Sequence, residues 1–198
     1  MKRSVCCLFS YIHFFMLQSA DLHLRAIEPE DLDTLYTIEN DTDVWNVGAV
    51  STPYSRFALR QYIESQPADI FQTGQLRLAI VERATATTIG FVDLIDHSAY
   101  SARAEVGIAL LRSHHGKGYG LQALRLIETY AFQQLHLRFL YAYVSADHNP
   151  VARQLFETAG YRSVAVLPLW HESQHGTEDI VLYQKFHPNT FTEPKATK

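Results

Sequence analysis

Residues 114–132 read HHGKGYGLQALRLIETYAF, three glycines at alternate positions running straight into an amphipathic repeat. Glycine reaches backbone conformations closed to other residues and lets a ligand approach the main chain. In the repeat, Leu121, Leu124, Ile127, Ala131 and Leu135 recur at threes and fours, so the spacing predicts a helix with one face on a core. The first turn of such a helix has N–H groups without partners in its own ladder. Those donors and the positive pole of the helix favour an anion, with phosphate or pyrophosphate the natural choice and Lys117 an added charge. A glycine turn that only connects two elements would read the same way, and the turn alone leaves both readings open.

Two nucleotide motifs can be tested by their spacing. A P-loop requires Ser or Thr after its Gly-Lys pair, and Gly118 follows Lys117. The dinucleotide fingerprint requires a third glycine three places after the second, and that place is Leu121.

Outward from the turn, the period of the sequence changes in a definite order. LHLRAI (22–27) alternates as a strand, and Pro29, Glu30 and Asp31 read as the acidic first turn of a helix carrying Leu32, Leu35 and Tyr36. Ser55 begins a second helix with Leu59, Tyr62 and Ile63. LRLAIVE (76–82), TIGFVDLID (88–96) and AEVGIALL (104–111) are three strands joined by hairpin-length connections. After the glycine turn and its helix, RFLYAYVS (138–145) is rich in strand formers. Asn149 then suits an N-cap, Pro150 the first helical position and Gly160 the close of a helix striped by Val151, Ala152, Leu155, Phe156 and Ala159. YRSVAVLP and EDIVLYQKF supply two final strands. This order predicts one α/β (α+β) domain over residues 21–186, a mixed, mostly antiparallel sheet with helices on both faces. Residues 187–198 lack apolar pattern and read as a flexible tail.

A chain of 198 residues, 47% hydrophobic and 19% charged, suits a single buried core. Its formal net charge of −4 gives no electrostatic footprint for nucleic acid. Cys6 and Cys7 are the only 2 cysteines, so there is no disulfide framework. The opening MKRSVCCLFSYIHFFMLQSA has the basic start and apolar middle of a secretory signal, but Gln18 makes a poor cleavage site after Ala20. The segment is also too short and mixed for a membrane span. The preferred reading makes Met16 the natural start and residues 1–15 an upstream extension, which gives a cytoplasmic protein without a membrane partner.

Four blocks, IGFVDL, AEVGIAL, HGKGYG and NPVARQLFETAGY, resemble in order and spacing the GNAT family of acetyl-CoA-dependent N-acetyltransferases, most nearly its RimJ/RimL-type and spermidine acetyltransferase members. The family's loop runs Arg or Gln, two residues, Gly, one residue, then Gly or Ala, and here His115 takes the Arg/Gln place. The resemblance covers about residues 21–186. It implies that the strand at Ile108, Ala109 and Leu110 splays from its neighbour and leaves a V-shaped gap for the pantetheine arm of acetyl-CoA. It further implies a pyrophosphate cradle of His115, Gly116, Lys117, Gly118, Tyr119 and Gly120, with Asn149 and Phe156 beside the cofactor, no metal, an amine acceptor and, as is common in the family, a homodimer. For Asn149 a capping role explains the residue equally well.

Acetyl transfer needs a neutral amine, and a lysine-like amine with pKa ~10.4 costs about 4.6 kcal/mol to deprotonate at pH 7. Glu105 matches the family's Ala-Glu position and can draw that proton through a water. Alternation puts it on one face with Gly107 and Ala109, whose size suits a groove, although a solvent-facing strand glutamate has the same pattern. Many relatives carry a tyrosine that protonates the departing thiolate, and its position here is Phe156. Tyr143 and Ser145 are candidate substitutes, against a packing role for either. The acceptor reads as a primary amine of a small molecule, peptide or protein N-terminus. Glu39, Asp41, Asp43 and Glu105 motivate a narrower polyamine reading. A non-catalytic acyl-CoA-binding module is the alternative of another class.

WHESQHG (170–176) holds His-Glu-x-x-His, the zinc arrangement of metalloproteases, in His171, Glu172 and His175. That chemistry requires both histidines on one helical face. The stretch lies between strand-like runs, bracketed by Pro168 and Gly176, and a chain with 10 histidines produces such spacings by chance. It reads instead as a hairpin turn beside the acceptor.

Overall fold

The computed structural model describes residues 17–41, 52–65, 69–173 and 176–189. The opening residues 1–16, with both cysteines and Met16, therefore lie outside the described residues, as do Asp43 and His175. In chain order the elements are β1 (Leu22–Ala26), a 3-10 turn (Pro29–Asp31), α1 (Leu32–Glu39), α2 (Arg56–Glu64), the single-turn α3 (Ile70–Thr73), β2 (Leu76–Glu82), β3 (Thr87–Ser98) and β4 (Arg103–Leu110). A second 3-10 turn (Arg112–His114) leads to α4 (Tyr119–Gln133), β5 (Phe139–Ser145), α5 (Pro150–Ala159), β6 (Arg162–Ser173) and β7 (Gly176–Phe186).

Local chemistry accounts for most of these boundaries. The Ser55 side chain accepts from the Ala58 N–H at 3.1 Å and Asn149 from the Ala152 N–H at 3.0 Å, each satisfying one donor of a first helical turn. Gly160, at φ 91°, closes α5 in the left-handed region. The Pro29 segment departs from a simple helix start. Asp31 is 2% exposed, accepts from the Glu28 N–H at 2.8 Å and forms a bidentate pair with Arg25 of β1. Asp31, read from sequence as part of a helix's acidic first turn, is thus a buried anchor, and the turn tightens to 3-10 before α1 begins.

The strands form one sheet in the order β1-β2-β3-β4-β5-β7-β6. Every neighbouring pair is antiparallel except β4 and β5. Strand alternation divides the apolar side chains between two cores. On one face Leu78, Ile80, Val106 and Leu140 meet Leu124 and Ile127 of α4 and Phe156 of α5. On the other, Ala79, Val81 and Phe91 meet Leu35 and Ile38 of α1 and Leu59 and Ile63 of α2. Each fully buried Leu or Ile contributes on the order of 2 kcal/mol. Lys185 of β7 ties the first layer together, with its ammonium 2.6 Å from the Glu128 carboxylate of α4 and 2.7 Å from the Ala159 carbonyl at the end of α5.

Gly90 controls how closely β3 approaches the end of β4, where it pairs with Leu110. A Cβ at this position would lie 2.3 Å from the Ala109 carbonyl oxygen and 2.9 Å from the Leu110 Cα, main-chain atoms that cannot rotate away. Gly90→Ala should therefore lower stability by about 2 kcal/mol through overpacking. Urea unfolding measures this, and an unchanged midpoint would contradict the close approach.

Candidate active site

The site begins where the sheet comes apart. β4 and β5 run parallel and pair at only three positions, Arg103 with Phe139, Ala104 with Leu140 and Glu105 with Tyr141. Beyond Glu105, β4 continues to Leu110 paired only with β3, and β5 continues to Ser145 paired only with β7. Ile108, Ala109 and Leu110 therefore border an opening, as the splayed strand of the resemblance implies. Ile108 and Leu110 pack toward one core and Ala109 toward the other, so alternate side chains brace the opened edge from both faces.

The glycine turn stands at the end of that edge. Gly116 and Gly118 have φ of 74° and 79°, the left-handed region that costs side-chain-bearing residues about 1–2 kcal/mol. Gly118 is the N-cap residue of α4 and supplies no side-chain hydrogen bond, in contrast to Ser55 and Asn149. A 15-residue helix thus presents its first-turn donors without a side-chain cap, which suits an anion. The His115 ring nitrogen Nε2 lies 3.0 Å from the Leu110 carbonyl and ties the turn back to β4. The Tyr119 side chain points elsewhere. Its hydroxyl donates to Glu82 at 2.6 Å and its ring stacks near His114, so only its main chain belongs to the turn. At Gly120 an added Cβ would meet Leu155 at 3.6 Å, an ordinary contact between α4 and α5.

Glu105 is half-buried at the point of divergence. Burial pushes its carboxyl up to about 7, with the nearby Asp96 charge adding to the rise and Arg103 opposing it. Asp96 arrives by a backbone device. The β3–β4 register shifts between Ile95 and Ser98, and Asp96 itself sits at φ 48°. A bulge of this kind re-aims a side chain. The Asp96 carboxylate accepts from Tyr141 at 2.5 Å and from Arg103 at 2.7 Å, and Arg103 also donates to the Tyr141 hydroxyl at 2.6 Å. The bond from Tyr141, then that from Arg103, holds Asp96 below the usual carboxylate range.

A second network lies across the same face. Arg77 of β2 makes a bidentate pair with Asp93 of β3, at 2.6 and 3.0 Å, and reaches Glu39 of α1 at 2.5 Å. Burial works against the Arg77 charge, but Asp93 and then Glu39 outweigh it, and its pKa is raised. Asp93 pairs with Gly107 in register, so this network borders β4 just beyond Glu105.

Phe156, in the place the resemblance gives to a tyrosine, and the two candidate proton donors differ in their surroundings. Phe156 is 4% exposed, packed edge-on against Tyr161 and stacked with Tyr183. Ser145 is buried, donates to Glu178 and accepts the His148 N–H at 3.0 Å. Tyr143 is 38% exposed and lies edge-on to Tyr141, two residues along the same strand. The Asn149 side-chain oxygen is the cap of α5, so a contact with pantetheine would fall to its amide NH2 group.

His171 and Glu172 belong to β6, paired with Glu178 and Thr177, so the helix that the zinc motif requires is replaced by an antiparallel ladder. Among the described residues no three His, Cys, Asp or Glu side chains gather as a metal site, and no helix is long and apolar enough to cross a membrane. Sequence reasoning missed Asp96, Arg103, Tyr141 and the Arg77 network. Strict alternation along β3 sends Asp96 to the wrong face, and the one available signal was an aspartate, a residue that tolerates the left-handed region, near the strand end.

The GNAT acetyltransferase domain model matches residues 21–162, from β1 through α5. The chain is 28% identical over 143 residues to spermidine N(1)-acetyltransferase of Vibrio cholerae, covering 72% of this chain and 80% of that protein. It is 26% identical over 170 residues to an uncharacterised N-acetyltransferase, p20, of Bacillus licheniformis, covering 84% and 93% respectively. The solved spermidine N-acetyltransferase from Vibrio cholerae, in complex with CoA and spermine, superposes with a TM-score of 0.75 at 24% identity, over 85% of this chain and 96% of that one. An opened parallel pair, a glycine turn before α4 and an Asn-capped α5 are joined here by a family match across most of the domain: the chain belongs to the GNAT acetyltransferase family.

Proposed function

We propose that this N-acetyltransferase moves the acetyl group of acetyl-CoA to a primary amine of a small molecule, peptide or protein N-terminus, with Glu105 as its general base. The observation that carries the assignment of the base is the position of Glu105, half-buried at the last β4–β5 pair before the strands part. The residues present fit the cosubstrate. The turn from His115 to Gly120, with Lys117, suits the pyrophosphate, and the opening beside Ile108, Ala109 and Leu110 suits an extended arm. When bound, acetyl-CoA supplies the activated thioester. Glu105 accepts the ammonium proton, directly or through a water, and Tyr143 is the hydroxyl we assign to the thiolate side. Similarity to the spermidine enzyme makes spermidine one acceptor to test. We further propose a cytoplasmic homodimer, supported by the exposed Val164, Val166, Leu169 and Trp170 of the edge strand β6.

A base that titrates at about 7 gives a definite pH profile. For an amine acceptor, kcat/KM should rise through pH ~7 as Glu105 ionises and then level until the free amine itself deprotonates. Glu105→Gln should lower kcat at neutral pH by about 100-fold or more and remove that limb, leaving a rise that continues toward the amine pKa. A limb near 7 that survives the substitution would assign the base elsewhere.

The turn makes a separate prediction. Gly118→Ala forces a side chain into φ 79° at the α4 N-cap, so the KM for acetyl-CoA should rise about tenfold while the amine KM changes little. Initial rates with each substrate varied in turn check this, and an unchanged acetyl-CoA KM would remove the turn from the cofactor site.

A further inference from the structure

Two neighbours of Glu105 on its own face of the sheet hold the same carboxylate. Arg103 stands two residues before it on β4, and Tyr141 lies directly across from it on β5. On β3 the residue opposite Glu105 is Ile95, and strict alternation would turn the next side chain to the other face. Instead β3 advances three residues, Ile95 to Ser98, where β4 advances two, Glu105 to Arg103, and Asp96 takes φ 48° within that bulge. Its carboxylate thereby comes round to the face of Glu105 and accepts from Tyr141 at 2.5 Å and from Arg103 at 2.7 Å. The guanidinium is fixed further by donating to the Tyr141 hydroxyl at 2.6 Å and by standing 5.2 Å over the Tyr141 ring. An acid and a cation are thus locked beside Glu105 by an arrangement that draws on three strands and an uncommon backbone conformation.

We propose that Asp96 and Arg103 are positioning residues for acetyl transfer: the Tyr141 hydroxyl orients them as a pair beside Glu105, and the pair sets the pH range in which the enzyme works. This inference rests on the reading of Glu105 as the base. Burial is the larger influence on Glu105, and the pair acts on top of it. Asp96 resists a second negative charge beside its own and keeps Glu105 protonated to higher pH, whereas Arg103 favours the carboxylate and limits that effect. The other charged or titratable groups on this face are Asp93 of β3, Arg77 of β2 and Glu39 of α1, with Tyr62 of α2 against Arg77, and Tyr143 farther along β5. Asp93 and Glu39 share one arginine, so that network leaves an acidic remainder, which is common to every variant compared below. Asp96 and Arg103 touch neither the amine nor the thioester in this scheme and act only through Glu105.

Two measurements on the full chain test this. Carbon-13 NMR follows the titration of the Glu105 carboxyl, assigned by its loss in Glu105→Gln, and kcat/KM is recorded against pH with acetyl-CoA and either spermidine or 1-aminobutane. The Asp96 side chain is 58% exposed, so screening holds the expected shift to about half a pH unit. Asp96→Asn, which removes the acid and leaves Arg103 unanswered, should move the carboxyl midpoint and the kinetic limb down by that amount. At pH 6 this raises kcat/KM, relative to its plateau, about threefold. Asparagine tolerates the left-handed backbone as aspartate does, so the bulge persists. Arg103→Gln should move both midpoints up by a similar amount, Arg103→Lys should keep the wild-type values, and the double variant Asp96→Asn with Arg103→Gln should fall between the two single ones. Opposite shifts from the two halves of one ion pair mark an electrostatic role, because lost packing would lower the plateau without moving the midpoints apart. Carboxyl shifts of the same sign in Asp96→Asn and Arg103→Gln, or no shift in either, would overturn the proposal. Carboxyl shifts as expected with an unmoved kinetic limb, or with no turnover of either amine, would instead overturn the reading of Glu105 as the base, and this inference with it.

Discussion

The parting of β4 from β5 after three paired residues is the constraint from which the rest of the site follows. A continuous sheet satisfies its main-chain donors and acceptors strand by strand, and an opened ladder leaves the groups on two facing edges without a strand partner. Those edges, Val106–Leu110 on one side and Ala142–Ser145 on the other, can be satisfied by water or by an extended arm carrying amides. The sheet can hold such an opening because each edge has a partner elsewhere. β4 is secured by seven register positions on β3, among them the close approach at Gly90, and β5 by seven on β7.

The same divergence positions the titratable group. Glu105 is the last residue of β4 to face β5 across a hydrogen-bonded ladder, so one side of it is packed and the other meets the opening. That halfway environment, with Asp96 near and Arg103 opposing, leaves its carboxyl poised around neutrality. Deeper burial without a partner would keep it protonated, and full exposure would make it too weak a base. The Asp96 bulge therefore sets the charge environment of Glu105 as well as the course of the strand.

Element order was legible in the sequence because local signals agreed with the tertiary outcome. Ser55, Asn149, Pro150 and Gly160 each do in the structure what their chemistry favours, and the alternation of Leu78, Ala79, Ile80 and Val81 does divide between two cores. The glycine turn was legible for the same reason, since positive φ at Gly116 and Gly118 is a demand few other residues meet. The charge networks were hidden. Arg77, Asp93 and Glu39 come from three elements, and no local pattern announces their meeting. Asp96 was hidden more deeply, because a bulge inverts the alternation by which strand faces are read. Asp31 shows the same limit: an acid before a helix looks solvated until β1 brings Arg25 to it.

The two proton transfers of the proposed reaction differ in difficulty, and the chain is built unequally around them. Deprotonating an alkylamine at pH 7 costs about 4.6 kcal/mol, whereas a thiol with pKa ~8.5 leaves as thiolate at a disadvantage of only about 2 kcal/mol. The amine side has a half-buried carboxylate, a bulge that brings a second acid to tune it, and an arginine that limits the effect. The thiolate side has Phe156 where the resemblance implies a tyrosine, a Ser145 already bonded to Glu178, and the partly exposed Tyr143. In the proposed reaction, the hydroxyl that Phe156 lacks would address the smaller barrier. On the proposed mechanism, loss of Glu105 would leave the larger barrier unaided, whereas a missing hydroxyl leaves only the smaller one.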